Sequence, residues 1–241
     1  SGKFYNNTAT ANDGCGGAIY SELEIKSVSG IFENNKADSG GAIHCGDNIG
    51  SISGSFINNS ATYSGGAIDC DGNIGSISGS FINNTVEGSG GAIYCKNIES
   101  ISGTFEGNTA RNSGSAIYCD IIESISGTFK NNTAKIFGGA IECDNIGSIN
   151  ADSIFEGNEA ESGGGIRCIS IKSVSGIFNN NTAKDSGGAI YCVNIESIAI
   201  ESISGTFKNN KAKFGGAICS KYIESINADA RFEGNEAEKL G

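Results

Sequence analysis

The sequence predicts an all-β fold, a parallel β-helix in which about ten rungs of about 24 to 25 residues stack, with three strands in each rung. Two motifs carry this prediction, because they alternate along all 241 residues. Gly-Gly-Ala-Ile recurs nine times, with substitutions at Ser115 and Gly165, and Phe-x-x-Asn recurs ten times. A repeat of this length is typical of solenoids, in which each repeat contacts only its neighbours. No segment shows the apolar period of a helix.

Alternation of apolar and polar residues within each motif predicts the strands. In Ile101–Phe105, the Ile, Gly and Phe positions share one face, and Ser and Thr take the other. In Ala92–Cys95, Ile and Cys share a face, and the position between them varies from copy to copy. The varying residues are Tyr20, His44, Asp69, Tyr94, Tyr118, Glu142, Arg167 and Tyr191. The constant apolar face should lie inside, and a third short strand is expected near the Asn.

The turn after each Phe predicts a left-handed corner. The residue before the Asn of the motif is Asn or Gly in every copy, as in Asn83 and Gly107. These residue types adopt positive φ most readily. The Asn that follows is expected to point inward, where its amide bonds to the rungs above and below. The predicted ladder consists of Asn35, Asn59, Asn84, Asn108, Asn132, Asn158, Asn181 and Asn210.

Seven of the nine cysteines occupy one repeat position, and Cys15 and Cys219 lie outside it. The column consists of Cys45, Cys70, Cys95, Cys119, Cys143, Cys168 and Cys192. Buried free thiols that pack as small apolar side chains are one interpretation. Disulfides between neighbouring rungs are the other. The cysteines form no CxxC pairs, so their spacing does not favour zinc, and no metal or cofactor site is predicted.

Composition narrows the function classes. The formal net charge of -11 argues against nucleic-acid binding, where a basic face is expected. No signal peptide is visible, and no apolar run is long enough for this segment to insert into a membrane. There are 37 glycines and no Pro, Met or Trp. This composition suits an extracellular or cell-surface protein.

Gly-Gly-Ala-Ile in strict alternation with Phe-x-x-Asn resembles the repeat of chlamydial polymorphic outer-membrane proteins and similar extracellular repeat proteins. The resemblance covers nearly the whole chain. It implies a right-handed β-helix of pectin-lyase-like shape, used for adhesion and surface display. We expect residues 1–241 to form one continuous β-helix without separate domains. Neither end carries a capping segment, so we expect either an excerpt of a longer chain or a subunit whose ends neighbouring copies cover.

No catalytic residue is predicted. The carboxylates Asp69, Asp71, Glu142 and Asp144 lie on the varied face, where a solvated charged surface is the simplest interpretation. The first hypothesis is therefore a non-enzymatic structural or adhesive rod, with copies of itself end to end, glycans or a host cell surface as partners. A chain of such rods would form an end-to-end filament.

Two alternatives stay open. The first is a carbohydrate-binding or carbohydrate-cleaving β-helix, in which Tyr94, Tyr118, Tyr191 and Asp69 contact the glycan. The second is an ice-binding solenoid, because hydroxyls recur in a regular array. That array comprises Ser51, Ser53, Ser55, Ser76, Ser78, Ser80, Ser100, Ser102, Thr104, Ser124, Ser126 and Thr128. Separately, candidate glycosylation sites occur at the proposed corners, in sequons at Asn6, Asn58, Asn83, Asn131 and Asn180.

Overall fold

The computed structural model describes residues 2–9, 13–194 and 197–240, and it confirms a parallel β-helix. Within these residues there is no helix, and 37 strands form four parallel sheets. Each rung passes through all four sheets in the same order. We name the sheets after a residue that recurs in their strands, as the Cys, Ser, Phe and Ala sheets, and we number the strands along the chain.

The strand bounds are as follows. The Phe sheet contains β1 Gly2–Tyr5, β4 Gly30–Glu33, β8 Ser55–Ile57, β12 Ser80–Ile82, β16 Thr104–Glu106, β20 Thr128–Lys130, β24 Ile154–Glu156, β28 Ile177–Asn179, β32 Thr206–Lys208 and β36 Arg231–Glu233. The Ala sheet contains β5 Lys36–Ser39, β9 Ser60–Ser64, β13 Thr85–Val86, β17 Thr109–Ala110, β21 Thr133–Ala134, β25 Glu159–Ser162, β29 Thr182–Ser186, β33 Lys211–Phe214 and β37 Glu236–Leu240.

The other two sheets follow the Gly-Gly corner. The Cys sheet contains β2 Ile19–Ser21, β6 Ile43–Cys45, β10 Ile68–Cys70, β14 Ile93–Tyr94, β18 Ile117–Tyr118, β22 Ile141–Glu142, β26 Ile166–Cys168, β30 Ile190–Cys192 and β34 Ile218–Ser220. The Ser sheet contains β3 Ile25–Val28, β7 Ile49–Ile52, β11 Ile74–Ile77, β15 Asn97–Ile101, β19 Ile121–Ile125, β23 Asn145–Ile149, β27 Ser170–Val174, β31 Ile200–Ile203 and β35 Ile223–Ile226.

The register between rungs places like residues directly above one another. Phe81 pairs with Phe56 on one side and with Phe105 on the other. The Phe rings therefore stack along the rod, and the Phe105 and Phe129 centroids are 4.9 Å apart with planes inclined by 4°. Columns of Ile, Cys and Phe fill the interior, and Phe105 and Phe129 are fully buried. Burial of these columns supplies the main favourable free energy of folding.

The predicted β-helix of about ten rungs is confirmed, but the rungs from β4 to β35 have four strands each where three were expected. Ile101–Phe105 was expected to be one strand, but β15 ends at Ile101 and β16 begins at Thr104. The corner falls at Ser102-Gly103, where a Cβ on Gly103 would lie 2.5 Å from the Gly79 carbonyl oxygen. The alternation of buried and exposed residues continues across this corner, so the pattern hides the break.

The left-handed corners after Phe are confirmed. Asn83 has φ of 54° and Gly107 has φ of 66°, and the other copies follow the same rule. A second left-handed corner lies at the first Gly of each Gly-Gly pair, as at Gly65 with φ of 57°. The second Gly of the pair meets a different constraint. A Cβ on Gly66 would lie 2.0 Å from the Gly91 carbonyl oxygen, so a side chain there would require neighbouring rungs to shift. One copy, with Ser115 at this position, does carry a buried side chain.

Candidate functional site

The asparagine ladder runs through the interior as predicted. Nδ2 of Asn108 donates to Oδ1 of Asn132 and to the carbonyl oxygen of Phe81, each at 3.0 Å. Oδ1 of Asn108 accepts from Nδ2 and from the backbone N of Asn84, again at 3.0 Å. All eight ladder residues named above are fully buried. The ladder therefore satisfies buried backbone groups at the corner between the Phe and Ala sheets.

The cysteine column lies inside the Cys sheet, and its seven side chains are buried free thiols. Burial raises the pKa of Cys70 to about 12, so this thiol stays protonated at neutral pH. Sγ atoms of Cys168 and Cys192 approach to 2.9 Å on neighbouring strands. Of the two cysteines outside the column, Cys219 pairs with Tyr191 on the outward face, and Cys15 pairs with Ser39.

The varied residues of the Cys sheet form one outward-facing line, which we call the outer column. Its members are Tyr20, His44, Asp69, Tyr94, Tyr118, Glu142, Arg167, Tyr191 and Cys219, paired in order by the sheet register. Asp69 and Glu142 are only 5% and 7% exposed, which is unusual for carboxylates on the outside of a sheet. The outer column therefore contains two buried carboxylates, each with an ion-pair partner on a neighbouring strand.

At one end of the outer column, His44 contacts Asp69. Nδ1 of His44 lies 2.9 Å from Oδ2 of Asp69, and the Tyr20 ring stacks on the imidazole with centroids 5.3 Å apart. The hydrogen bond to Asp69 raises the pKa of His44, although burial of the ring acts in the opposite direction. Asp71 is exposed beside this pair. One ligand atom from each of His44, Asp69 and Asp71 lies within 4.8 Å of the other two.

Negative charge accumulates next to this cluster. Cys15 lies close by, and burial raises the pKa of its thiol. The charges of Asp69, Asp13, Asp38 and Asp71 act in the same direction on that thiol. The ion pair that Asp69 makes within the described chain is the one with His44. The cluster is thus a carboxylate-rich surface around a single imidazole.

A second pair lies three rungs further along the outer column. Arg167 donates from Nη1 to Oε1 of Glu142 at 2.6 Å, and its guanidinium lies 5.4 Å from the centre of the Phe137 ring. Burial raises the pKa of Glu142 to about 7, although the charge of Arg167 opposes this rise. Oε2 of Glu142 and Nε of Arg167 are buried without a hydrogen-bond partner among the described residues.

The predicted glycan-contact residues all belong to the outer column, but their surroundings differ. The rings of Tyr94 and Tyr118 stack on each other, with centroids 5.1 Å apart and planes inclined by 1°. The two ring faces that meet in this stack are therefore not open to a ligand. Tyr191 is partly exposed, whereas Asp69 is buried against His44. The sheet thus brings these residues into one line, and the stack covers one face of each of the Tyr94 and Tyr118 rings.

The other predicted surface features lie elsewhere on the rod. The sequon residues Asn6, Asn58, Asn83, Asn131 and Asn180 are exposed at left-handed corners. The hydroxyl array forms regular lines in two sheets. Ser51, Ser76, Ser100 and Ser124 are in register in the Ser sheet, and Ser55, Ser80, Thr104 and Thr128 are in register in the Phe sheet. Several of these hydroxyls, such as that of Ser100, bond to a carbonyl oxygen of the preceding rung. Among the described residues, no helix is long and apolar enough to cross a membrane.

Sequence reasoning missed the two pairs of the outer column. His44 and Asp69 are 25 residues apart, as are Glu142 and Arg167, which is one rung in each case. The signal was therefore present, since residues one repeat apart at the same position must be neighbours. The four carboxylates Asp69, Asp71, Glu142 and Asp144 were interpreted as a solvated face, whereas Asp69 and Glu142 are buried.

The stacked rungs, the Asn ladder and the Phe column define a β-solenoid repeat protein. The family pattern of the Chlamydia polymorphic membrane protein repeat matches residues 1–22, 29–46, 53–71, 78–96, 102–120, 126–144, 175–193 and 204–221. These segments cover more than half of the chain, so the chain belongs to the Chlamydia polymorphic membrane protein repeat family. No curated protein and no solved structure matches the chain.

The rod extends the repeat into segments that the family pattern does not match. Residues 145–174 lie between two matched segments, yet Phe155 stacks in the Phe column and Asn158 takes its place in the ladder. Membership of a family of Chlamydia surface proteins, together with a solenoid fold, fits a structural or adhesive protein of the cell surface.

Proposed function

We propose that this chain is a non-enzymatic rod that displays an adhesive or structural surface outside the cell. The proposal rests on one contrast within the rod. The interior residues are nearly the same from rung to rung, whereas the residues of the outer column differ. All nine strands of the Cys sheet place an Ile at the same inward position, while the outward position changes in charge, size and hydrogen-bonding capacity. Such a scaffold holds surface side chains at fixed spacing, which suits recognition.

The ionisable groups of the outer column favour binding over catalysis. Asp69 and Glu142 are engaged by His44 and Arg167, respectively. A general acid or base must instead reach a substrate proton.

Stacked at about 4.8 Å per rung, about ten rungs give a rigid rod on the order of 45 Å long.

Beads coated with the purified chain test the adhesive part of the proposal. We expect such beads to be retained on cultured host cells more than albumin-coated beads, and soluble chain to compete with them. A matched pair of variants separates the outer column from the rest of the surface. Tyr191→Ser should reduce retention, whereas Tyr63→Ser, which alters an exposed tyrosine of the Ala sheet, should not. Retention equal to that of albumin-coated beads would contradict adhesion.

We propose in addition that copies of this chain stack end to end. Phe232 and Ile226 are 46% and 59% exposed, whereas Phe207 and Ile203, their counterparts one rung inward, are fully buried. Apolar residues in this arrangement suit coverage by another rung, whether of the same polypeptide or of a second copy in a head-to-tail contact, and we propose the second copy. Electron microscopy should show fibres that Phe232→Glu shortens and Tyr63→Glu leaves unchanged. Single rods at every concentration would exclude stacking.

Carbohydrate binding is the second candidate. Oε2 of Glu142 and Nε of Arg167 are an acceptor and a donor without a partner among the described residues. Both atoms are buried, so the two side chains would have to rotate outward before a sugar hydroxyl could bond to them. A glycan array decides the matter. Binding that Arg167→Gln abolishes would favour this candidate, and the absence of binding to any glycan would remove it.

A further inference from the structure

We propose that His44, Asp69 and Asp71 form a binding site for one divalent cation of the zinc class on the outer face of the Cys sheet. This inference goes beyond the proposed function, because neither a rod nor an adhesive surface requires a metal ion. It rests on the placement of the three side chains, on the charge around them and on the chemistry of their ligand atoms.

The backbone fixes the three residues relative to one another. His44 on β6 and Asp69 on β10 are paired in the parallel register of the Cys sheet. Asp71 follows β10, and its backbone N donates to the Cys45 carbonyl oxygen at 2.9 Å. The Tyr20 ring stacks on the imidazole of His44. Two of the three side chains are thus held on regular strands and the third directly after one, so they need little reorganisation to accept an ion.

The charge around the three residues favours a cation. Asp69 is 5% exposed, and buried charges in proteins are paired or coordinate metals. Its one ion pair among the described residues is with the imidazole of His44, which is a weak base. The equivalent carboxylate of Glu142 has a permanently charged partner in Arg167. The outer column thus contains two similar carboxylates, of which Asp69 is the one without a permanently charged partner among the described residues.

The ligand atoms point to zinc among the common divalent ions. One imidazole nitrogen with two carboxylate oxygens is a donor set that Zn²⁺ accepts, whereas Ca²⁺ and Mg²⁺ prefer oxygen ligands alone. With bonds of about 2.0 to 2.2 Å, a tetrahedral Zn²⁺ holds its ligand atoms about 3.3 to 3.6 Å apart. The three ligand atoms already lie within 4.8 Å of one another, so small side-chain rotations bring them into range.

The test is a titration of the whole chain, reduced and freed of metal, with zinc chloride. Isothermal calorimetry should give one bound ion per chain. His44 is the only histidine in the sequence, so its ring resonances in an NMR spectrum report the site without overlap. These resonances should shift as zinc is added. His44→Ala and Asp71→Asn should each weaken binding at least tenfold, and Asp71 is exposed, so its variant should fold normally.

The repeat supplies matched controls. Glu142→Gln and Asp144→Asn alter the same two repeat positions three rungs away and should leave zinc affinity within twofold of the unmodified chain. Cys15→Ser tests whether the nearby thiol is the true ligand. The proposal is wrong if zinc leaves the histidine resonances unmoved, if His44→Ala binds as tightly as the unmodified chain, or if Cys15→Ser abolishes binding that His44→Ala retains.

Discussion

Replacing Asn108 by Ala tests whether the asparagine ladder holds the rungs together. The substitution removes four side-chain hydrogen bonds, to Asn84, Phe81 and Asn132. It leaves the backbone N–H and one amide hydrogen of Asn84 buried without acceptors. At about 1 kcal/mol of net stability per bond, with buried unpaired donors costing more, we expect a loss of about 4 kcal/mol.

The matched control is Asn235→Ala, at the partly exposed end of the same ladder. This residue makes three side-chain hydrogen bonds, two with Asn210 and one with the Phe207 carbonyl oxygen. Water can replace them there, so we expect a loss of about 1 kcal/mol.

Both losses can be measured by urea unfolding followed by circular dichroism. The slope of the free energy of unfolding with urea concentration should be compared between the variants. Equal losses for the two variants would refute the argument, because they would mean that burial of the ladder adds nothing to its stability.

Three further predictions concern single positions. Because burial raises the pKa of Glu142 to about 7 from about 4.5, the folded chain binds this proton more tightly than the unfolded chain does. Stability should therefore fall by roughly 3 kcal/mol as pH rises through that window, and Glu142→Gln should remove that part of the fall in pH-dependent urea melts. Diamide should join Cys168 to Cys192 before other pairs, because their Sγ atoms are 2.9 Å apart, and mass spectrometry of non-reduced peptides will show which pair forms first. Gly66→Ala should cost about 1 to 3 kcal/mol, because its Cβ would lie 2.0 Å from the Gly91 carbonyl oxygen. Gly165→Ala should cost less, because its Cβ would lie 2.8 Å from the Ala189 carbonyl oxygen and Ala occupies that position in the other copies. Equal melting temperatures for these two variants would contradict the clash.

Local chemistry explains why so much of the fold could be predicted from the sequence. Positive φ is open to Gly and Asn at low cost, so Asn83 and Gly107 at one repeat position mark a corner. The corner at Ser102-Gly103 could not be recognised in this way, because Gly103 does not have a positive φ. A glycine is present there because the neighbouring rung lies too close for a Cβ. The number of strands per rung was therefore underestimated.

The candidate site was harder to predict, for a different reason. Which residues touch across rungs follows from the period alone, as for His44 and Asp69. How deeply they are buried does not, because burial depends on neighbours outside the outer column. Phe137, which occupies a position held by Ser in most other copies, lies against the guanidinium of Arg167. Only the assembled rod places that ring beside the Glu142 pair.

The one-rung register has a consequence for how such a chain can change over time. Adding or deleting a whole rung preserves every internal column, because any rung fits against any other. Pairs of outward-facing side chains on neighbouring rungs do not tolerate the insertion of a rung between them. A rung inserted between His44 and Asp69 would move them apart by about 4.8 Å and end their contact. Gain or loss of whole rungs should therefore keep the interior intact, with stability changing by the contribution of each rung and its interface, while it separates outward pairs at the point of change.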